Sequence, residues 1–438
     1  MNPLAEQLNQ TIKAAAPHIY DMLSDVGKKL YFPKGILSQS AEAKEKAHTI
    51  NATIGIAKER GRTMRFDSVM AAINAIPPRQ SLTYAPSFGI PALRKQWQKE
   101  LFSKNASLAD KRVSLPVVTC GITHGIATFA DVWINAGDVI ILPEMMWGNY
   151  GMIFSVRRDA HIHHYKLFTE DGHFNLPAFE QVVRQEAADH RKLTVLLNFP
   201  HNPTGYTISD AEADAIVKIL KDVASSGTYV VAVTDDAYFG LFYEPECIQE
   251  SIFARLCGAH PAILAIKLDG ATKENYVWGL RVGFITYGGT FSVDPTDLFD
   301  ALERKTAGCI RGTISNASHL SQTILLNSML DEKNSAERQE KFDILMDRAK
   351  RVKAVCTDPK YAPAWDVYPF NSGYFMCIRL KTVDAETLRV HLLDRYGVGL
   401  IALGPDNLRI AFSCMEAADV EKLFDIIYQG IKELENSQ

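Results

Sequence analysis

The chain has 438 residues, 47% of them apolar, and a formal net charge of −4. That length exceeds one simple core and predicts two domains, while both signs of charge are interspersed, giving no bulk reason to bind nucleic acid or an acidic membrane. Seven scattered cysteines without a C-x-x-C pair argue against a disulfide framework and for a reducing compartment.

In chain order, residues 1–20 form a polar amphipathic stretch without a signal core, and no apolar run approaches the length of a membrane span. A cytoplasmic protein with no membrane partner is expected. From about residue 113 to 288, strands alternate with helices. The predicted strands are Val139–Pro143, His161–Tyr165, Thr194–Phe199, Tyr229–Thr234, Ala262–Leu268 and Val282–Tyr287. Between them, helical patterns cover Gly121 to Ile134, Asn149 to Val156, Leu176 to Asp189 and Ser209 to Ala224. Several strands are continuous apolar runs, as expected where helices cover both faces of a sheet. The alternation predicts an α/β fold with a doubly wound, mostly parallel sheet. Beyond Arg311 a helix-rich stretch runs to about Val355. Shorter strands follow near Tyr374–Arg379 and Leu408–Phe412, then an amphipathic helix over Glu416–Leu434. These elements predict a smaller α+β domain from residues 1–65 and 331–438, beside a large domain of residues 66–330.

In open α/β sheets function collects beyond the carboxyl ends of the strands. After Thr194–Phe199 comes His201-Asn202-Pro203-Thr204-Gly205, which alone reads equally well as a plain turn. After Tyr229–Thr234 come Asp235, Asp236, Ala237 and Tyr238. A carboxylate at a buried strand end needs a cation or a donor; Asp235 is either a helix cap or the partner of a protonated ring nitrogen. After Ala262–Leu268 comes Gly270-Ala271-Thr272-Lys273, then Gly279-Leu280-Arg281-Val282-Gly283. Such a lysine is a solvated loop residue or, once desolvated, an amine able to attack a carbonyl. The arginine is surface decoration or grips a phosphate, with glycines permitting close approach. His161 and His163 share one strand face, too few for a closed metal site, and no metal is expected.

Taken jointly, these blocks resemble the N-P-x-G, D-x-A-Y and S-x-x-K…R-x-G motifs of the class I/II aminotransferases. These are fold type I enzymes of pyridoxal 5′-phosphate, and the likeness is nearest to the aspartate and aromatic branch. It spans roughly Ile54 to Phe412. The resemblance implies that Lys273 forms the imine with the cofactor and shuttles the substrate proton. Asp235 pairs with the pyridine nitrogen, and Asn202 and Tyr238 bond the ring oxygen. The phosphate sits at the helix start Gly121-Ile122-Thr123, neutralised by Arg281. Trp147, in Met146-Trp147-Gly148-Asn149-Tyr150, stacks on the ring. Tyr84, in Tyr84-Ala85-Pro86 with Gly89, reaches a neighbouring subunit's phosphate, which implies a homodimer with shared sites. Ile54-Gly55 resembles the loop over the substrate. Arg409 matches the receptor of the substrate α-carboxylate, for which a planar guanidinium fork is suited. Arg311, in Ile310-Arg311-Gly312-Thr313-Ile314-Ser315-Asn316, resembles the partner-subunit arginine that binds a side-chain carboxylate.

Three positions depart from the pattern, one of them Gly312, which stands where the segment after Arg311 usually has a proline and loosens the backbone there. Gly270 stands where a phosphate-binding serine is usual, with Thr272 as possible compensation, and Tyr150 replaces the polar residue that usually supports the aspartate. The implied activity is ping-pong transfer of an amino group between an L-amino acid and a 2-oxo acid. Aspartate or glutamate is the first candidate substrate, and an aromatic amino acid a second. A lyase or decarboxylase would use the same electron sink, and a non-catalytic regulatory module is the remaining alternative. No basic recognition helix accompanies it, so no nucleic-acid partner is expected.

Overall fold

The computed structural model describes residues 1–31 and 35–436; residues 32–34 and 437–438, which fall in the expected small domain, lie outside the described residues. Helices α1 (Pro3–Ala15) and α2 (Pro91–Lys104) precede a seven-stranded sheet. Its strands are β1 (Val117–Thr119), β2 (Val139–Pro143), β3 (His161–Tyr165), β4 (Lys192–Leu197), β5 (Tyr229–Asp235), β6 (Ile263–Gly270) and β7 (Gly283–Gly289), in the order β1-β7-β6-β5-β4-β2-β3. β7 runs antiparallel to both β1 and β6, and the pairs β6-β5-β4-β2-β3 are parallel. The sheet is therefore mostly parallel, as the alternation predicts.

Strand alternation explains how the sheet is covered. Along β4, Leu193, Val195 and Leu197 face one side with Ala232 of β5, under α4 (Leu176–Asp189) and α5 (Asp210–Ser225). Leu196 faces the other side with Val233, Ile266 and Leu268, under Ile122, Ile126 and Phe129 of α3 (Gly121–Trp133). Each such buried Leu, Val, Ile or Phe side chain contributes roughly 1.5–3 kcal/mol. Local signals set the helix ends: at α5 Ser209 and Glu212 form a reciprocal capping box, and Ala213, Ile216, Leu220 and Val223 give a buried stripe.

A second, four-stranded antiparallel sheet is built from β8 (Trp365–Val367), β9 (Met376–Leu380), β10 (Ile401–Leu403) and β11 (Asn407–Ile410), in the order β8-β9-β11-β10. Helix α6 (Thr296–Thr313) packs on α3 and β1 of the large sheet and α7 (His319–Leu330) on α2, while α8 (Asn334–Cys356), α9 (Ala385–Tyr396) and α10 (Val420–Glu435) belong with the second sheet. The early chain joins this part: Ile50–Asn51 pairs with Val398–Gly399, and the Ala52 carbonyl accepts from the Ala411 N–H. Some expected elements shift. The helix expected from Asn149 is present with a π-helical turn over Gly151–Val156, while β4 stops at Leu197, β7 runs on to Gly289 and α10 starts at Val420. Glu416, expected in that last helix, instead accepts from Arg348 and from the Gly61 N–H. Among the described residues no helix is long and apolar enough to cross a membrane.

Candidate active site

The parallel register brings the ends of β4, β5 and β6 to one edge, where a cavity of about 160 Å³ opens. Asp235 ends β5 and is 3% exposed. Tyr150 donates to its Oδ2 at 2.6 Å, and the Ala237 N–H donates to its Oδ1 at 3.1 Å. Burial pushes the carboxyl up to about 6, partly offset by the Tyr150 hydrogen bond. Burial, with the nearby carboxylate adding, holds the Tyr150 phenol well above its ordinary value. Tyr150 is thus a neutral O–H donor at any working pH, and it fills the supporting role that the sequence left open.

Lys273 follows the end of β6 by three residues and lines the same cavity. Its Nζ donates to the Gly55 carbonyl at 2.5 Å and lies 5.1 Å from the Tyr238 ring centre and 5.5 Å from that of Tyr374. Tyr374 donates to the Lys273 carbonyl at 2.9 Å, fixing the backbone behind the amine. Burial first, and the Arg409 cation second, bring the amine down to about 7. A large fraction is therefore unprotonated near neutrality, as nucleophile or base. A side chain on Gly55 would press on Lys273 Nζ at 3.1 Å, so the glycine lets the early chain close over the amine.

A cradle for an anion forms beside it. Gly121 opens α3 with φ +76°, and a Cβ there would lie 2.5 Å from an Arg281 nitrogen. Only a glycine brings the guanidinium against the helix start. The first turn of α3 carries no acid, so its free N–H groups and dipole add to that cation. Ile122, Thr123 and Thr272 line the cavity at this end. Gly270 has a steric explanation: a Cβ there would meet the Val282 carbonyl oxygen at 2.8 Å and Gly283 Cα at 3.0 Å. Gly283 is equally tight, since its Cβ would lie 2.7 Å from the Gly121 carbonyl carbon. Trp147 lines the cavity and meets Tyr150 edge-on at 5.5 Å.

Arg409 on β11 is 2% exposed. It donates to the Thr53 carbonyl at 2.8 Å and to Asn202 Oδ1 at 3.4 Å, with the Phe375 ring 4.2 Å away. Its Nε has no hydrogen-bond partner among the described residues, and the described contacts give it no carboxylate. A buried cation without a counter-charge is costly, and it is poised to receive a carboxylate.

The structure thus brings together Lys273, Asp235, Tyr238, Asn202, Thr272, Arg281, Gly121, Ile122, Thr123, Trp147, Gly55 and Arg409. It does not bring in Tyr84 or Arg311. Tyr84 is 89% exposed, and Arg311 is exposed at the end of α6, donating to Ser315 Oγ at 2.8 Å. The two segments are tied together on one surface: Ser87 Oγ donates to the Ser315 carbonyl at 2.8 Å, and Thr83 Oγ1 lies 3.1 Å from His319 Nδ1. In the histidine cluster, His163 Nδ1 lies 2.5 Å from Glu186 and His164 Nδ1 3.1 Å from the Pro143 carbonyl. Among the described residues no group of three side chains is placed to hold a metal. Sequence reasoning missed Asn198, Tyr374 and Phe375 as site residues. For Asn198 the signal was a polar residue at the end of an apolar run.

The family model described as aminotransferase class I and II matches residues 48–427. The aspartate aminotransferase of Geobacillus stearothermophilus is 24% identical over 87% of this chain and 92% of its own length. An aminotransferase structure from Anaerococcus prevotii superposes with a TM-score of 0.82 at 21% identity, covering 94% of this chain and 99% of that one. A multiple substrate aminotransferase from Thermococcus profundus gives 0.79 at 14% identity, over 96% and 100%.

Proposed function

The chain belongs to the class I and II aminotransferases and is a transaminase; from that premise we propose that its cofactor is pyridoxal 5′-phosphate and that it acts as a homodimer on a dicarboxylic amino acid. One observation carries the cofactor reading: the Lys273 amine, lowered to about 7, shares a cavity with the buried Asp235 carboxyl and the Arg281–α3 anion cradle. An aldehyde, a basic ring nitrogen and a phosphate need those three groups. Bound there, pyridoxal 5′-phosphate supplies an electrophile for the amino group and a ring that accepts electron density from the substrate Cα.

The protein's own residues do the rest. Arg281 and the α3 N–H groups hold the phosphate. Asp235, supported by Tyr150, keeps the proton on the pyridine nitrogen, and Trp147 packs against the ring. Asn202 and Tyr238 donate to the ring oxygen. Lys273 takes the substrate Cα proton on Nζ and returns it, acting as general base and then acid. Arg409 grips the α-carboxylate and so fixes which bond at Cα faces the ring. Two substrates in turn use the one site, an L-amino acid and then a 2-oxo acid.

Arg311 and Tyr84, exposed on one surface, complete the site of a second copy, where Arg311 receives a side-chain carboxylate. The aspartate aminotransferase name of the Geobacillus relative supports aspartate or glutamate as one substrate. We keep an aromatic amino acid as the second candidate substrate. We place the large, cofactor-holding domain at residues 66–330 and the small one at 1–65 with 331–438. All seven cysteines are free in the structure, which supports a cytoplasmic setting.

The test is a spectroscopic panel. Protein incubated with pyridoxal 5′-phosphate develops a visible band that its true amino donor bleaches. A chain that acquires no band overturns the cofactor reading; a band that aspartate and glutamate never bleach overturns the Arg311 assignment. Mixing Lys273→Ala with Arg311→Ala protein regains activity with aspartate if sites are shared, and stays inactive if each chain is complete alone.

A further inference from the structure

We propose that Asn198 is a positioning residue for transamination, one amide that fixes both Asp235 and Asn202 relative to the cofactor ring. The inference rests on the cofactor reading above. The ladder between β4 and β5 ends at the pair Leu197–Thr234, after which the chain leaves the sheet through Phe199 and Pro200. The Asp235 carbonyl would lose its partner there, and an unpaired buried carbonyl costs free energy. Asn198, 6% exposed, replaces the missing strand with its side chain: Nδ2 donates to the Asp235 carbonyl at 2.7 Å. Its Oδ1 accepts from the Asn202 N–H at 2.9 Å. Both ends of the amide are used, and in opposite senses.

The bridge does more than close a strand end. Asn202 Oδ1 accepts from Arg409 at 3.4 Å, so the contacts run without a break from the Asp235 backbone through Asn198 and Asn202 to the buried guanidinium. Asn198 also lines the cavity itself. The backbones of Asp235 and Asn202 are therefore held by one side chain, which reaches Arg409 only through Asn202. Leucine matches its size but makes neither bond; aspartate keeps the acceptor for Asn202 and loses the donation to Asp235.

The experiment compares the wild-type chain with Asn198→Ala and Asn198→Asp, with and without pyridoxal 5′-phosphate. Equilibrium dialysis on cofactor-free protein measures cofactor affinity, and a pH titration of the visible band measures its midpoint. Loss of a hydrogen bond of ordinary strength weakens cofactor binding about 3–10-fold and moves the midpoint by about 0.5–1 pH unit. In Asn198→Ala it moves up, because a loosened Asn202 donates less to the ring oxygen. KM for the amino donor rises in both variants through Arg409. If the alanine chain does not fold, the near-isosteric aspartate chain decides by its affinity and KM. Unchanged affinity and midpoint with only a lower melting temperature overturn the proposal, leaving a structural strand cap. A wild-type chain without a visible band instead overturns the cofactor reading, so the two failures are distinct.

Discussion

Two buried lysines six residues apart on one stretch of chain meet opposite fates. Lys267, inside β6, is fully buried with Asp236 at 2.5 Å and Asp269 at 2.9 Å, and it sits 4.6 Å from the Phe239 ring centre. The acids are themselves held: Ser251 Oγ donates to Asp236 at 2.6 Å, and Trp97 Nε1 reaches both oxygens of Asp269. The two carboxylates outweigh burial and raise the Lys267 pKa. Among the described residues Lys273 has a carbonyl and two aromatic rings but no acid in contact, and its pKa falls to about 7. Burial alone does not make a lysine reactive; burial without a counter-charge does. A closed ion cluster ties β5 to β6, and the Lys273 amine beside it is left without a counter-charge.

The sharpest way to break this contrast is Lys273→Ala, which should lower turnover by about 10⁴-fold or more in steady-state assays while leaving the fold intact by circular dichroism. Retained turnover would sink the assignment. Lys267→Met should do the reverse, costing about 3–5 kcal/mol in denaturant unfolding because two buried acids lose their cation. Combining it with Asp236→Asn and Asp269→Asn should recover most of that loss; if it does not, the cluster is not an electrostatic unit. Arg409→Ala should cost about 2–5 kcal/mol in kcat/KM, and the loss should disappear for an amine substrate lacking a carboxylate.

The most gradual effect is the pH dependence of stability in the cofactor-free chain. Between about pH 7 and the ordinary lysine value of 10.5, unfolded Lys273 carries a proton that the folded chain has released. Stability therefore rises with pH across that window, by at most about 1.4 kcal/mol per unit, and Lys273→Met should remove the rise. Lys267 has the opposite sign. Its contribution is full below the ordinary lysine value and is lost as pH climbs past its raised one.

The difference between the lysines also marks what the sequence could tell. Strands β2 and β3 and helix α4 lie at their expected bounds, because apolar runs and turn residues bracket them locally. The order of Asn202, Asp235, Lys273 and Arg281 along the strand ends was legible as motif. Lys267 was not: Asp269 shares its strand face two residues on, but only the register of β5 with β6 brings Asp236 against it. Asn198 was read as strand since its run continues in apolar residues, and the end of the ladder is decided by β5. Gly270 was read as a lost hydroxyl, whereas the Val282 carbonyl leaves no space for any side chain there. Helix α9 escaped because its apolar stripe, Leu388, Leu392 and Leu393, is short.

That crowding at Gly270 has a consequence for how the site can vary. Gly283 occupies the space a Cβ on Gly270 would need, Gly121 the space a Cβ on Gly283 would need, and the Arg281 guanidinium the space a Cβ on Gly121 would need. No single replacement is accommodated without moving a strand end, the start of α3 or Arg281. The three positions are epistatic: a library that randomises one of them alone samples mostly broken cradles. A serine at 270 would meet backbone atoms, the Val282 carbonyl oxygen and Gly283 Cα, so room for it comes only from a shift of the strand end itself.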